Sequence, residues 1–261
     1  VCYFYMSQGA VANSSVTIDR KKIQKVYPEL YPDIDIQALN KDFNESHESL
    51  LFLTGKPGVG KTSFVRYMLA ASLLEMRNGS HPRQLCLPEV AYVKDMNVMC
   101  DGQFWSHLTA GDYDLVLFDD LDFALGTRKQ GDNGFVNNLL SYSDGLFGSG
   151  ARIVITSNIA VNEIDNALLR PGRCFDFLEL RPLTSARAMD VWTTVLKQRP
   201  EDANDGWHSA EEVTQASVMS HYQRISQNRR ERSYIKNGPN VYSVEDKINK
   251  MIGQERVGFI K

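Results

Sequence analysis

Gly55-Lys56-Pro57-Gly58-Val59-Gly60-Lys61-Thr62 spells G-x-x-x-x-G-K-[ST], and its flanks decide the fold. The apolar run Leu50-Leu51-Phe52-Leu53 precedes it and predicts a buried strand. Ser63-Phe64-Val65-Arg66-Tyr67-Met68-Leu69-Ala70-Ala71 follows it and predicts a helix. A phosphate-binding loop needs this strand–loop–helix context. The glycines let the backbone curl so that successive N–H groups point at phosphate oxygens, and the positive end of the helix adds to that field. Gly55, Lys56, Pro57, Gly58, Val59, Gly60, Lys61, Thr62 and Ser63 are therefore the candidate nucleotide contacts. Lys61 is expected to reach the β- and γ-phosphates, and the Thr62 hydroxyl to ligate Mg²⁺.

Around this loop the chain alternates. Strands are predicted at 50–54, 89–94, 115–118, 151–156 and 177–180, with helices at 35–46, 61–76, 101–108 and 134–142 between them. That order predicts an α/β fold: a P-loop NTPase parallel sheet covered by helices on both faces. After Pro182 the pattern becomes helical, with Thr184 as a cap and Ala188, Val191, Trp192 and Val195 on one side. The expected domains are an N-terminal arm and linker over 1–48, a large ATPase domain over 49–182, and a small helical lid domain with a C-terminal extension over 183–261. Residues 8–20 are small and polar and predict a flexible arm. The 48-residue arm is too short for a separate substrate-recognition domain and is expected to line the adenine site or touch a neighbouring subunit.

The 261 residues are 23% charged and 43% hydrophobic with a net charge of −3, an ordinary globular composition rather than that of a strongly basic nucleic-acid binder. Four scattered cysteines without a C-x-x-C pair argue against a disulfide framework or zinc site and for a reducing, cytoplasmic setting. No apolar run approaches the ~20 residues of a membrane span.

Leu115-Val116-Leu117-Phe118-Asp119-Asp120 is an apolar strand ending in two acids. Carboxylates there lie on the ligand-binding rim of a parallel sheet. Asp119 is expected to hold Mg²⁺ and Asp120 to polarise the attacking water. Ile153-Val154-Ile155-Thr156-Ser157-Asn158 repeats the design. Asn158 either senses the γ-phosphate and holds the attacking water, or caps the next turn. Ala167-Leu168-Leu169-Arg170-Pro171-Gly172-Arg173 puts two arginines on a rigid turn. They are either solvated or directed at a neighbour's phosphates, where a planar guanidinium spreads its charge over phosphoryl oxygens.

This ordered set resembles the AAA+ ATPases, closest to the AAA group. GKPGVGKT (55–62), LVLFDD (115–120), ITSN ending at Asn158, ALLRPGR (167–173) and the RPLT start of a lid (181–184) carry the likeness. The resemblance implies ATP and Mg²⁺ as ligands and ATP hydrolysis. It also implies a homo-oligomeric ring, usually of six subunits, with nucleotide between neighbours and Arg173 as the arginine finger. Three departures stand out. Asp120 occupies a position that is Glu in most of the family. Cys174-Phe175-Asp176-Phe177 stands where a second arginine is common, so a pair would use Arg170. The lid lacks a clear second sensor, Arg224 being a weak candidate. The resemblance points to a protein client or adaptor; a nucleic-acid factor of the helicase-loader or replication-initiator type remains the alternative. Phe104 and Trp105 are expected to pack on the sheet. Arg128 and Lys129 in the 126–134 loop, and the cluster Arg229, Arg230, Arg232 and Lys236, read either as phosphate contacts or as solvated charge.

Overall fold

The structure, a computed structural model, describes residues 1–15, 27–77, 89–111, 113–122, 125, 134–143 and 151–228. The chain divides into two compact units, Val1–Ser220 and His221–Lys261. The Arg128 and Lys129 loop and the Arg229 to Lys236 cluster lie outside the described residues.

The first unit is built on a seven-stranded sheet of order β2-β1-β4-β5-β6-β3-β7. Its strands are β1 (Cys2–Ser7), β2 (Ala10–Ser15), β3 (Leu50–Thr54), β4 (Val90–Val93), β5 (Leu115–Phe118), β6 (Arg152–Thr156) and β7 (Cys174–Glu179). All neighbours pair in parallel except β1 with β2. The helices are α1 (Ile36–Glu45), α2 (Lys61–Arg77), α3 (Met96–Cys100), α4 (Gly102–Ala110), α5 (Gly134–Ser143), α6 (Ser185–Asp190) and α7 (Gln215–Asn228).

Period-2 alternation splits the sheet into two apolar faces. Leu50, Phe52, Val116, Phe118, Ile153 and Ile155 pack with Val98, Phe104, Trp105, Leu108, Phe135 and Leu139 of α3, α4 and α5. The expected burial of Phe104 and Trp105 is thus observed, with Trp105 held further by its indole N–H to the Met99 carbonyl at 2.7 Å. The register between β3 and β7 shifts at Leu50/Leu51, leaving Phe175 out of the pairing, and Phe175 meets Phe43 of α1 at 5.0 Å between ring centres. α1 in turn is tied to α2 by the Asn40 amide donating to the Met68 carbonyl at 2.9 Å. Because both faces are covered, β3 is buried along its whole length, which is why it reads as an unbroken apolar run.

The N-terminus differs from the expected flexible arm. Cys2–Ser7 and Ala10–Ser15 form an antiparallel hairpin turning at Gln8 and Gly9, and β1 adds in parallel to β4. The reason is Phe4. Its ring is completely buried and packs edge-on against Phe104 at 5.2 Å and Tyr113 at 6.0 Å. A buried phenyl ring contributes about 2–3 kcal/mol, enough to anchor a short strand of modest propensity. Tyr3 and Tyr5 stack on the opposite face, and Tyr3 continues onto Tyr92 of β4.

Beyond the sheet, Thr184 caps α6 by accepting from the Arg187 amide at 3.2 Å. α6 runs on into a π-helical turn, Val191–Val195, whose Trp192 packs edge-on against Trp207. Residues 183–220 belong to the same compact unit as the sheet.

Candidate nucleotide site

The C-terminal ends of β3, β5 and β6 lie side by side in the sheet, so their following residues converge. The loop after β3 closes around Lys61. Its ammonium donates to the Gly55 carbonyl at 2.8 Å, the Lys56 carbonyl at 3.2 Å and the Asn158 side-chain oxygen at 2.6 Å. Burial lowers the Lys61 pKa, while Asp120, Asp122 and Asp119 pull the other way. Two glycines make the loop possible. Gly55 has φ of +135°, and a Cβ there would sit 2.2 Å from the Leu180 carbonyl oxygen. Gly60 has φ of +97°, and a Cβ would meet the Gln215 side-chain oxygen at 2.1 Å and the Tyr31 hydroxyl at 2.8 Å. The neighbours are thus shaped to the bare backbone.

Those neighbours come from both ends of the first unit. The Tyr31 hydroxyl donates to the Gly60 carbonyl at 2.8 Å while its ring packs against Phe64 and Tyr67. Burial raises the Tyr31 pKa, and a hydrogen bond with Ser63 and the nearby Arg66 charge offset it only in part. The Ala216 amide donates to the Gly58 carbonyl at 3.0 Å, Gln215 donates to the Leu30 carbonyl at 3.2 Å, and Lys56 pairs with Glu212 at 2.5 Å. Arg224, in the second unit, has its guanidinium 2.7 Å from His221 Nδ1.

Asp119 follows β5 and is the most enclosed acid of the site, its side chain 1% exposed. One oxygen accepts from the Thr156 hydroxyl at 2.6 Å and faces the Thr62 hydroxyl at 3.4 Å. The other accepts from the Tyr92 hydroxyl and pairs with the Lys94 ammonium, both at 3.1 Å. Burial alone would raise the Asp119 pKa; the Thr156 and Lys94 hydrogen bonds outweigh it and hold the carboxyl below its ordinary value. Burial, with the nearby Asp119 charge, pushes the Tyr92 phenol up to about 12. Burial would depress Lys94, but its bonds to Asp119 and Asp120 hold it above the ordinary lysine value.

Asp120 adopts φ of +63°, a left-handed conformation that Asp tolerates at some strain. Its amide donates to the Thr156 hydroxyl at 2.9 Å, and its carboxylate lies 3.2 Å from Lys94. Thr156 thus orders both acids at once, accepting from one backbone while donating to the other side chain.

Asn158 is held more tightly than a turn cap would be. Its amide N–H and side-chain NH₂ both donate to Asp122, at 2.6 and 2.7 Å, and the Ser157 hydroxyl adds a third bond at 3.0 Å. Burial would raise the Asp122 pKa, but these Asn158 and Ser157 donors lower it overall. Asp122, Thr156, Tyr92, Lys94, Tyr31 and Gln215 were not singled out by their sequence context. The three acids in Asp119-Asp120-Leu121-Asp122 are the one local signal that points to Asp122.

The two arginines of the 167–173 segment differ. The Arg173 guanidinium is half-buried and donates to the Ala167 carbonyl at 2.8 Å, and the Arg173 carbonyl accepts from Ser49 and Leu50. Arg170 is exposed.

Thr62 and Asp119 present hard oxygens, the donor type Mg²⁺ takes. Among the described residues no three His, Cys, Asp or Glu side chains cluster for a metal. A magnesium ion completed by phosphate and water needs no such cluster.

The family model "ATPase family associated with various cellular activities (AAA)" matches residues 51–182, the span from β3 through β7 that carries Lys61, Thr62, Asp119, Asp120, Asn158 and the two arginines. The chain belongs to the AAA family of ATPases. It is 32% identical over 184 residues to a vesicle-fusing ATPase of Dictyostelium discoideum, covering 64% of this chain and 24% of that protein. It is 27% identical over 219 residues to a proteasome-associated ATPase of Acidothermus cellulolyticus, covering 76% and 37%. It is 30% identical over 161 residues to a probable mitochondrial chaperone bcs1 of Schizosaccharomyces pombe, covering 59% and 33%. The chain therefore spans well under half of each of these relatives. Among the described residues no helix of this AAA chain is long and apolar enough to cross a membrane.

Proposed function

We propose that this AAA chain binds ATP with Mg²⁺, hydrolyses it, and uses the cycle to remodel a protein partner from within a homo-oligomeric ring. The observation that carries the reading is the convergence of Lys61, Thr62, Asp119, Asp120 and Asn158 at three adjacent strand ends. The Gly55–Ser63 backbone and Lys61 bind the triphosphate. Thr62 and Asp119 would hold Mg²⁺, which supplies charge neutralisation of the phosphates when bound. Asp120 accepts the proton of the water that attacks the γ-phosphorus as ADP departs, and Asn158 orients that water. The arginine turn of a neighbouring subunit completes the phosphate charge. Arg173 is the finger that the family resemblance implies and Arg170, which is exposed, the second arginine of the pair; Arg173 also donates to the Ala167 carbonyl of its own turn. Residues 183–220 serve as the helical lid, with Glu212, Gln215 and Ala216 closing over the loop.

The names of the relatives, a vesicle-fusing ATPase, a proteasome-associated ATPase and a chaperone, support a protein rather than a nucleic-acid client. Asp120 is one methylene shorter than the Glu usual in the family, and slow turnover follows from its reduced reach. The test is steady-state ATP hydrolysis with and without unfolded protein or DNA. Wild type is expected to turn over and respond to protein, Lys61→Ala to lose nucleotide binding, and Asp120→Glu to run faster. Normal hydrolysis by Lys61→Ala would falsify the site; stimulation by DNA alone would transfer the client to nucleic acid.

A further inference from the structure

Asp119 is the acid that must face Mg²⁺, yet four donors already fill it: Thr156 and Thr62 on one oxygen, Tyr92 and Lys94 on the other. A carboxylate offers about four lone-pair sites. A metal ion, or the water of its shell, reaches Asp119 only by displacing one of them. Thr156 is completely buried and also receives the Asp120 amide, so it is fixed. Thr62, at 3.4 Å, ligates a metal through its oxygen lone pairs while its proton stays directed at Asp119, so it need not leave. Tyr92 is pinned by its strand and by a tilted ring contact with Tyr3 at 5.7 Å. Lys94 is different. It stands just past the end of β4 on a flexible stem, its side chain is 44% exposed, and it already has a second anion in Asp120 at 3.2 Å. It is also the one donor that carries positive charge and so opposes a divalent cation directly.

We propose that Lys94 is a resident counter-ion of the Asp119–Asp120 pair that competes with Mg²⁺ and thereby sets the metal concentration at which this chain binds nucleotide. This rests on the magnesium-nucleotide reading above. Without metal, Lys94 neutralises an acid that would otherwise be buried and unpaired, a costly state. As Mg²⁺ arrives, Lys94 shifts to Asp120 and solvent. Lys94 is a positioning residue: its role is exerted through the two carboxylates.

The test is binding of a fluorescent ADP analogue, followed by anisotropy as MgCl₂ is titrated, for wild type, Lys94→Met, Lys94→Gln and Lys94→Arg. Lys94→Met is expected to lower the Mg²⁺ midpoint by about two- to fivefold, the range a half-exposed ion pair supports, and Lys94→Arg to keep it near wild type. Lys94→Gln retains a donor toward Asp119 without the charge. It is expected to shift the midpoint in the same direction and to stay folded should Lys94→Met not, with a circular dichroism melt as the check. An unchanged or higher midpoint in folded Lys94→Gln overturns the proposal while leaving the nucleotide site standing. Absence of analogue binding by wild type at saturating Mg²⁺ overturns the site reading itself, and the inference with it.

Discussion

The Asn158 side chain bridges Lys61 and Asp122: its oxygen accepts from the Lys61 ammonium at 2.6 Å and its NH₂ donates to Asp122 at 2.7 Å. The phosphate-binding lysine and an acid beyond β5 thus hold opposite ends of one amide. The orientation of that amide follows from its partners, since a cation demands the oxygen and a carboxylate the NH₂.

Asn158→Ala removes this bridge and leaves Lys61 its bonds to the Gly55 and Lys56 carbonyls. Turnover is expected to fall about 10²-fold, as when one oriented transition-state donor is lost, with nucleotide affinity changed only a few-fold. Single-turnover hydrolysis together with equilibrium binding separates the two. A parallel loss in both would show that Asn158 serves the loop's structure rather than the reaction.

Asp122→Asn tests the other end. Three donors aim at this carboxylate, and an amide can satisfy fewer of them. The expected loss is about 1–2 kcal/mol at neutral pH, read as a lower urea midpoint. The folded Asp122 pKa is depressed, so its stabilisation is complete above the unfolded value of about 3.9 and drains as pH falls through the lower folded value. Asp119 behaves likewise. The urea midpoints of wild type and Asp122→Asn should therefore converge below about pH 4. A gap that stays constant from pH 7 to pH 3 would assign the effect to packing.

The sheet's parallel core was legible because its central strands carry apolar runs ended by polar residues: Leu115–Phe118 before Asp119, Ile153–Ile155 before Thr156. The remainder was hidden for physical reasons. Ala10–Ser15 is small and polar, with little intrinsic strand preference, and becomes a strand only because its partner β1 is fastened by Phe4 to Phe104, a contact no local window contains. α3 is five residues long, too short for periodicity, and exists because Asp95 caps it. Lys94 and Asp122 looked like ordinary charged residues flanking strands; their roles come from Asp119, 25 residues on from Lys94, and from Asn158, 36 residues on from Asp122.

Phe4→Ala measures how far the hairpin belongs to the fold. The ring is completely buried against Phe104 and Tyr113, and its removal is expected to cost about 3–5 kcal/mol. At roughly 2–4 °C per kcal/mol for a domain of this size, the melting temperature should fall by about 6–20 °C. Tyr5→Ala, on the half-exposed face, should move it far less. Equal shifts for the two would mean that the hairpin is held by its exposed aromatic face.

The two arginines of the 167–173 turn are expected to respond differently to substitution. Arg170 is exposed, while Arg173 holds the Ala167 carbonyl at 2.8 Å. Arg170→Ala should therefore lower turnover by about 10³-fold, the size expected for a lost arginine finger, without lowering the melting temperature. Arg173→Ala should lower both. Complementation then decides the direction of action. A subunit carrying Lys61→Ala has no working phosphate loop but an intact Arg170, whereas a subunit carrying Arg170→Ala has the reverse. If the guanidinium acts across a subunit boundary, mixing the two inactive proteins restores a measurable fraction of activity, because some seams pair a good loop with a good arginine. If activity stays at the sum of the separate proteins over a range of mixing ratios, although they co-assemble, Arg170 acts within its own chain and the shared site is refuted.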